Sequence, residues 1–151
     1  MEKEKVFLEL SEIAQKFSST QSLRNLKTFN GPYNDQETNL RALSHILIVL
    51  IFVDKKKYAR EIEWIVNEFQ DGLKKPYDNN FCFRIPNNNK DSVNGLIGIS
   101  WAAEAVFYAK DRIDIKNLDK KIIKILLNHP FNKYYWERVL PCGTVAGIDF
   151  T

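Results

Sequence analysis

The chain has 151 residues, 44% of them hydrophobic, 27% charged and 13% aromatic, with a formal net charge of +3 and two cysteines. A domain of this length can bury roughly 70% of its extended-chain surface, so it needs neither metal nor disulfide to hold a core. Three classes are disfavoured: the lysines are too evenly mixed with acids for a nucleic-acid footprint, the longest apolar run (Ile46 to Val53) is eight residues against the ~20 that span a bilayer, and MEKEKVFLEL lacks the apolar centre of a signal peptide.

Cys82 and Cys142 fit neither a CxxC pair nor a metal-ligand spacing, and they leave at most one disulfide. The expected location is a reducing cytoplasm, with no metal and no cofactor.

From Val6 to Phe17 the apolar positions Val6, Phe7, Leu10, Ile13, Ala14 and Phe17 recur at three- and four-residue steps, which predicts an amphipathic helix. A polar connection follows through Asn30, Gly31, Pro32, Tyr33, Asn34 and Asp35, where Asn34 or Asp35 can cap the next helix. That second helix, about Gln36 to Val53, is polar on entry and then apolar on every face, so it is expected to be enclosed. Lys55, Lys56 and Lys57 read as a solvated loop.

A third helix, about Lys57 to Gln70, carries one stripe of Tyr58, Ile62, Ile65, Val66 and Phe69 and reads as an outer helix. The fourth, about Val93 to Ala109, is again apolar all round, and the fifth, about Leu118 to Asn128, returns to a one-sided pattern in Ile122, Ile123, Leu126 and Leu127. Buried and amphipathic helices thus alternate, as they do when one ring of helices is wrapped by another. The period of about 40 residues would suit a helical solenoid as well. Beyond Pro130, YYWERVL and VAGIDFT are β-rich segments joined by Pro-Cys-Gly-Thr, which predicts a short hairpin. The sequence stops at Thr151 in mid-strand, which reads as a truncated domain.

Three segments in this order carry a resemblance: YNDQETNLRALSHIL, FCFRIPNNNKDSVNGLIGISWAAEA and HPFNKYYWERVLPCGTVAGIDFT. Together, over about Gly31 to Thr151, they resemble the N-terminal part of bacterial (α/α)-barrel proteins found with polysaccharide-biosynthesis genes, relatives of the six-hairpin glycosidases. The most distinctive element is Asn94 to Trp101, although this chain has Ile99 where the family often has Gln. The resemblance implies an all-α fold, an incomplete (α/α) toroid of stacked helical hairpins with a small C-terminal β-hairpin. Residues 1–151 would be one partial domain, lacking the family's later Asn-His-Gln segment and further hairpins. It also implies a carbohydrate-active or carbohydrate-binding protein of surface-polysaccharide metabolism, inactive alone if its catalytic groups lie on the later helices.

Successive helices in stacked hairpins run antiparallel, so the second and fourth present their N-termini at one end. Tyr33, Glu37 and Arg41 from the first of these ends would then lie beside Asp91 and Asn94 from the other, with Arg84 on the connection before it. Two helix N-termini with arginines nearby suit an anionic sugar, and a neutral saccharide also fits. Ser92 and Asn94 are also good N-caps, and capping alone is the plainer reading of each. Trp136 and Arg138 alternate with Glu137 on the predicted hairpin; they offer an apolar platform and directed donors for a sugar, or a cross-strand packing pair. Glu104 shares a helix face with Trp101 and reads as a rim carboxylate or an acid/base group, while His45, one turn after Arg41, reads as a satisfied core histidine.

No catalytic pair of carboxylates can be chosen among Asp35, Glu37, Asp91, Glu104 and Asp149. A non-catalytic helical-repeat scaffold that binds a protein partner is the rival reading. In either case an open fragment is expected to expose apolar surface and to form homo-oligomers through it.

Overall fold

The computed structural model describes residues 2–19, 40–72, 95–128, 131–132, 135–139 and 145–148. Its core is all-helical, built from α1 (Glu2–Ser19), α2 (Leu40–Asp54), α3 (Ala59–Gly72), α4 (Gly95–Ala109) and α5 (Leu118–Asn128). Helix α1 holds neither Gly nor Pro, and it places Glu2 and Glu4 in its first turn and Lys16 in its last, so its charges oppose the helix dipole. Ala14 and Phe17 bury its C-terminal half against the core.

Helix α2 is rich in β-branched residues, which are poor helix formers in isolation, and its helicity rests on burial of Leu43, Ile46, Leu47, Leu50 and Ile51. It ends without glycine or proline. The Asp54 carboxylate accepts hydrogen bonds from the backbone N–H groups of Lys56 and Lys57, both at 3.0 Å, and Tyr58 N–H reaches the Asp54 carbonyl at 3.1 Å. Those bonds close a tight turn into α3, and the three lysines between are exposed, as expected. Helix α3 buries Ile62, Ile65, Val66 and Phe69 with Tyr58 just before them, the stripe that the sequence predicts.

Helix α1 meets this hairpin at its closed end. Phe7 packs edge-on against Phe52, with ring centroids 6.1 Å apart, and Ser18 Oγ donates to Glu61 Oε1 at 2.6 Å. Phe52 and Glu61 flank the turn, so α1 lies across it.

Two contacts fix the direction of α4 relative to α2. His45, in the N-terminal half of α2, touches Trp101, in the N-terminal half of α4, whereas Lys55 Nζ, just past the end of α2, donates to the Arg112 carbonyl, just past the end of α4, at 2.9 Å. The two helices are therefore parallel and side by side, joined through a core that includes Ala102, Ala105, Val106 and Ala109 of α4. The small alanines let the helix backbones approach closely.

The α4–α5 connection runs along α3. Gln70, buried at the end of α3, donates to the Lys116 carbonyl at 2.8 Å and accepts from Lys121 Nζ, while Lys116 Nζ reaches Asn67 Oδ1 at 2.7 Å. The backbone turns here through two left-handed residues, Lys116 (φ 52) and Asn117 (φ 61), with the Asp114 carboxylate accepting from Lys116 N–H.

Three sequence expectations need correction. Helices α2 and α4 are not enclosed on every side: His45 and Phe52 on α2, and Ser100, Glu104 and Phe107 on α4, are exposed. On α2 no polar side gives the sequence a phase, so hydropathy does not reveal which side lacks a neighbour. His45 is accordingly not a core histidine. On α5 the buried line is Leu118, Ile122 and Ile125, one position round from the predicted stripe, and Ile123 and Leu127 face outward.

After α5 come short strands β1 (Phe131–Asn132), β2 (Tyr135–Val139) and β3 (Val145–Ile148), paired antiparallel in the order β1-β2-β3. Glu137 pairs with Ile148 and Val139 with Val145, so the extra residue of the irregular register falls on β3. Strand β2 packs against α4.

Candidate functional site

The parallel run of α2 and α4 brings their N-terminal turns to one end of the helix layer, the juxtaposition that the sequence predicts from stacked hairpins. At that end His45 is exposed, Trp101 is half-buried, and the two rings meet at 6.4 Å between centroids with an interplanar angle of 68°. Such an edge-to-face contact holds the indole in one orientation. Glu104, one turn further along α4, is exposed, and with Ser100 and Phe107 it forms one solvent-facing stripe at i, i+4 and i+7. A half-buried indole, the exposed imidazole against it and an exposed carboxylate one turn along α4 thus lie close in the fold. The first offers a hydrophobic platform, and the other two offer hydrogen bonds of both polarities.

Of the residues selected from sequence, Arg41 lies in the first turn of α2, one turn before His45. Trp136 and Arg138 occupy alternate positions on β2, the strand next to α4. Tyr33, Glu37, Arg84, Asp91 and Asn94 lie outside the described residues. Helix α4 thus packs against both α2 and β2.

The residue that sequence reasoning misplaced is His45. A signal for the open surface did exist, in the polar positions Ser100 and Glu104 spaced four apart on an otherwise apolar helix. Among the described residues no group of three or more His, Cys, Asp or Glu side chains is placed to hold a metal ion, and no helix is long and apolar enough to cross a membrane.

A separate cavity of about 350 Å³ lies at the other end, between the first half of α3 and the α4–α5 connection. Ala59, Ile62, Val66 and Ile113 form its apolar wall, and Lys55, Glu63, Asp114 and Lys116 its charged rim. Two cations and two anions on one rim select no ligand charge.

No protein-family profile matches the chain, and no solved structure matches it. The chain is 31% identical over 128 residues to archaeal glycosylation protein Q of Haloferax volcanii, a match covering 81% of this chain and 34% of that protein. It thus spans about a third of the length of that distant relative, which is archaeal where the sequence resemblance had pointed to bacteria.

Proposed function

We propose that this chain belongs to a carbohydrate-active or carbohydrate-binding protein of glycan metabolism. A saccharide, neutral or anionic, would sit over Trp101 at the end where α2 and α4 begin. The observation that carries this reading is the His45–Trp101 pair with Glu104 on the adjoining stripe, a half-buried indole beside an exposed imidazole and an exposed carboxylate. The likeness to a glycosylation protein supports the glycan context.

In the same reading 1–151 is one part of an (α/α) toroid, with α2 and α4 as inner helices and α3 and α5 outside them. The antiparallel pairing of β2 with β3 supports a rim hairpin that brings Trp136 and Arg138 toward the sugar. Tyr33, Glu37, Arg41, Arg84, Asp91 and Asn94 would complete the mouth. The setting is the cytoplasm, no cofactor takes part, and the isolated chain binds without turning substrate over.

Saturation-transfer NMR with a panel of neutral, uronate and phosphorylated saccharides tests the proposal. The expected result is transfer to at least one saccharide that disappears in Trp101→Ala while the far-ultraviolet circular dichroism stays helical. Binding of none of the panel would reject the carbohydrate reading and leave a helical scaffold for a protein partner.

A further inference from the structure

We propose that copies of this chain associate head to tail, with the outer flank of α1 on one copy seated against the outer flank of α5 on the next. Both flanks are apolar stripes at helical spacing. On α1, Val6 (49% exposed) and Ile13 (42%) are seven residues apart with half-buried Leu10 between them; on α5, Ile123 (41%) and Leu127 (80%) are four apart. Large apolar side chains aligned in this way mark a surface for association more than isolated ones do. Among the described helices the two also end one packing series, since α1 packs on α2, α2 on α4 and α4 on α5.

Charge chooses the occupant. Glu2 and Glu9 each precede an α1 stripe residue by one turn, and α1 as a whole has four acids against three lysines. Lys120 and Lys124 each stand three residues before an α5 stripe residue, with Asp119 one turn before Ile123, and α5 as a whole has three lysines against one acid. Pairing α1 with α1 would set carboxylates against carboxylates, and pairing α5 with α5 would set lysines against lysines. Only the crossed pairing joins apolar stripe to apolar stripe with opposite charges alongside. A contact between two different surfaces of one chain is heterologous, so it propagates into a ring or an open filament instead of stopping at a two-fold dimer.

Sedimentation of two variants, alone and mixed, tests this. Ile13→Glu disables the α1 flank and Leu127→Glu the α5 flank, and both positions are exposed enough for the fold to survive, which circular dichroism checks. The wild-type chain should gain mass with concentration and lose it with added salt. Each variant alone should sediment as a 17.7 kDa monomer, and an equimolar mixture should form a 1:1 dimer and nothing larger. Glu9→Lys should weaken the wild-type association, and adding Lys120→Glu to the same chain should restore it. Wild-type protein that stays monomeric up to about 1 mM, or either single variant that still associates as wild type does, overturns the proposal.

Discussion

The imidazole of His45 stands edge-on to the indole of Trp101, 6.4 Å away, across the second turns of two parallel helices that are distant in sequence. Aromatic pairs of this kind contribute about 0.5–1.5 kcal/mol beyond the area they bury. His45→Ala is therefore expected to lower unfolding free energy by no more than about 1.5 kcal/mol in urea titrations. Saccharide affinity should fall further than stability, because the indole loses the neighbour that orients it. A loss of stability with unchanged affinity would show that the pair is a packing contact alone.

The α2–α4 interface should dominate stability. Leu47 of α2 is fully buried in the core, so Leu47→Ala should cost about 2–5 kcal/mol. Leu127, at 80% exposure, is the contrasting case: Leu127→Ala in dilute, monomeric protein should change stability by less than about 0.5 kcal/mol. Equal effects at the two positions, measured by denaturant unfolding, would contradict the burial pattern.

How far the sequence discloses this arrangement depends on whether each helix has two unlike sides. Helix α3 does, and its buried line of Ile62, Ile65, Val66 and Phe69 can be read directly from the spacing. Helix α5 offers two overlapping apolar lines, Leu118–Ile122–Ile125 and Ile122–Ile123–Leu126–Leu127, and only packing against α4 selects the first. Helix α2 carries almost no polar phase, so the exposure of His45 and Phe52 has no local signature, whereas on α4 the polar Ser100 and Glu104 mark the side on which Phe107 is exposed. The parallel run of α2 and α4 follows from hairpin stacking, but the meeting of His45 with Trp101 depends on their axial register, which no local pattern encodes. Tyr33, Glu37, Arg84, Asp91 and Asn94 lie outside the described residues, so those five of the eight predicted site residues rest on sequence.

Gln70 is a buried side chain that uses both ends of its amide, one toward the Lys116 carbonyl and the other toward Lys121 Nζ. Gln70→Leu keeps a similar volume but leaves that carbonyl without this donor, which should cost about 1–3 kcal/mol. Gln70→Glu keeps the partnership with Lys121 and loses only the donor, so it should fall between the wild type and the leucine variant. Thermal unfolding of the three proteins side by side decides the order, and a leucine variant as stable as wild type would mean that the bond from Gln70 to the carbonyl contributes nothing net.

The turn into α5 places Lys116 and then Asn117 at positive φ, the conformation that costs a residue with a Cβ roughly 1–2 kcal/mol and that asparagine tolerates best after glycine. Asn117→Gly should therefore be neutral or slightly stabilising, whereas Asn117→Val, branched at the β-carbon, should lose more than about 1 kcal/mol. Lys116→Gly combines opposing effects, since it relieves the backbone but removes the Nζ bond to Asn67 and enlarges the entropy of the unfolded chain. Lys116→Ala isolates the side-chain bond, because alanine keeps the Cβ and the backbone cost with it. The difference between the alanine and glycine variants, read from chemical denaturation, should then be small and favour glycine, as relief of positive φ outweighs the gain in unfolded-state entropy. Valine at 117 tolerated as well as glycine would show that the turn re-forms with negative φ, and the Gln70 bond to the Lys116 carbonyl would be lost with it.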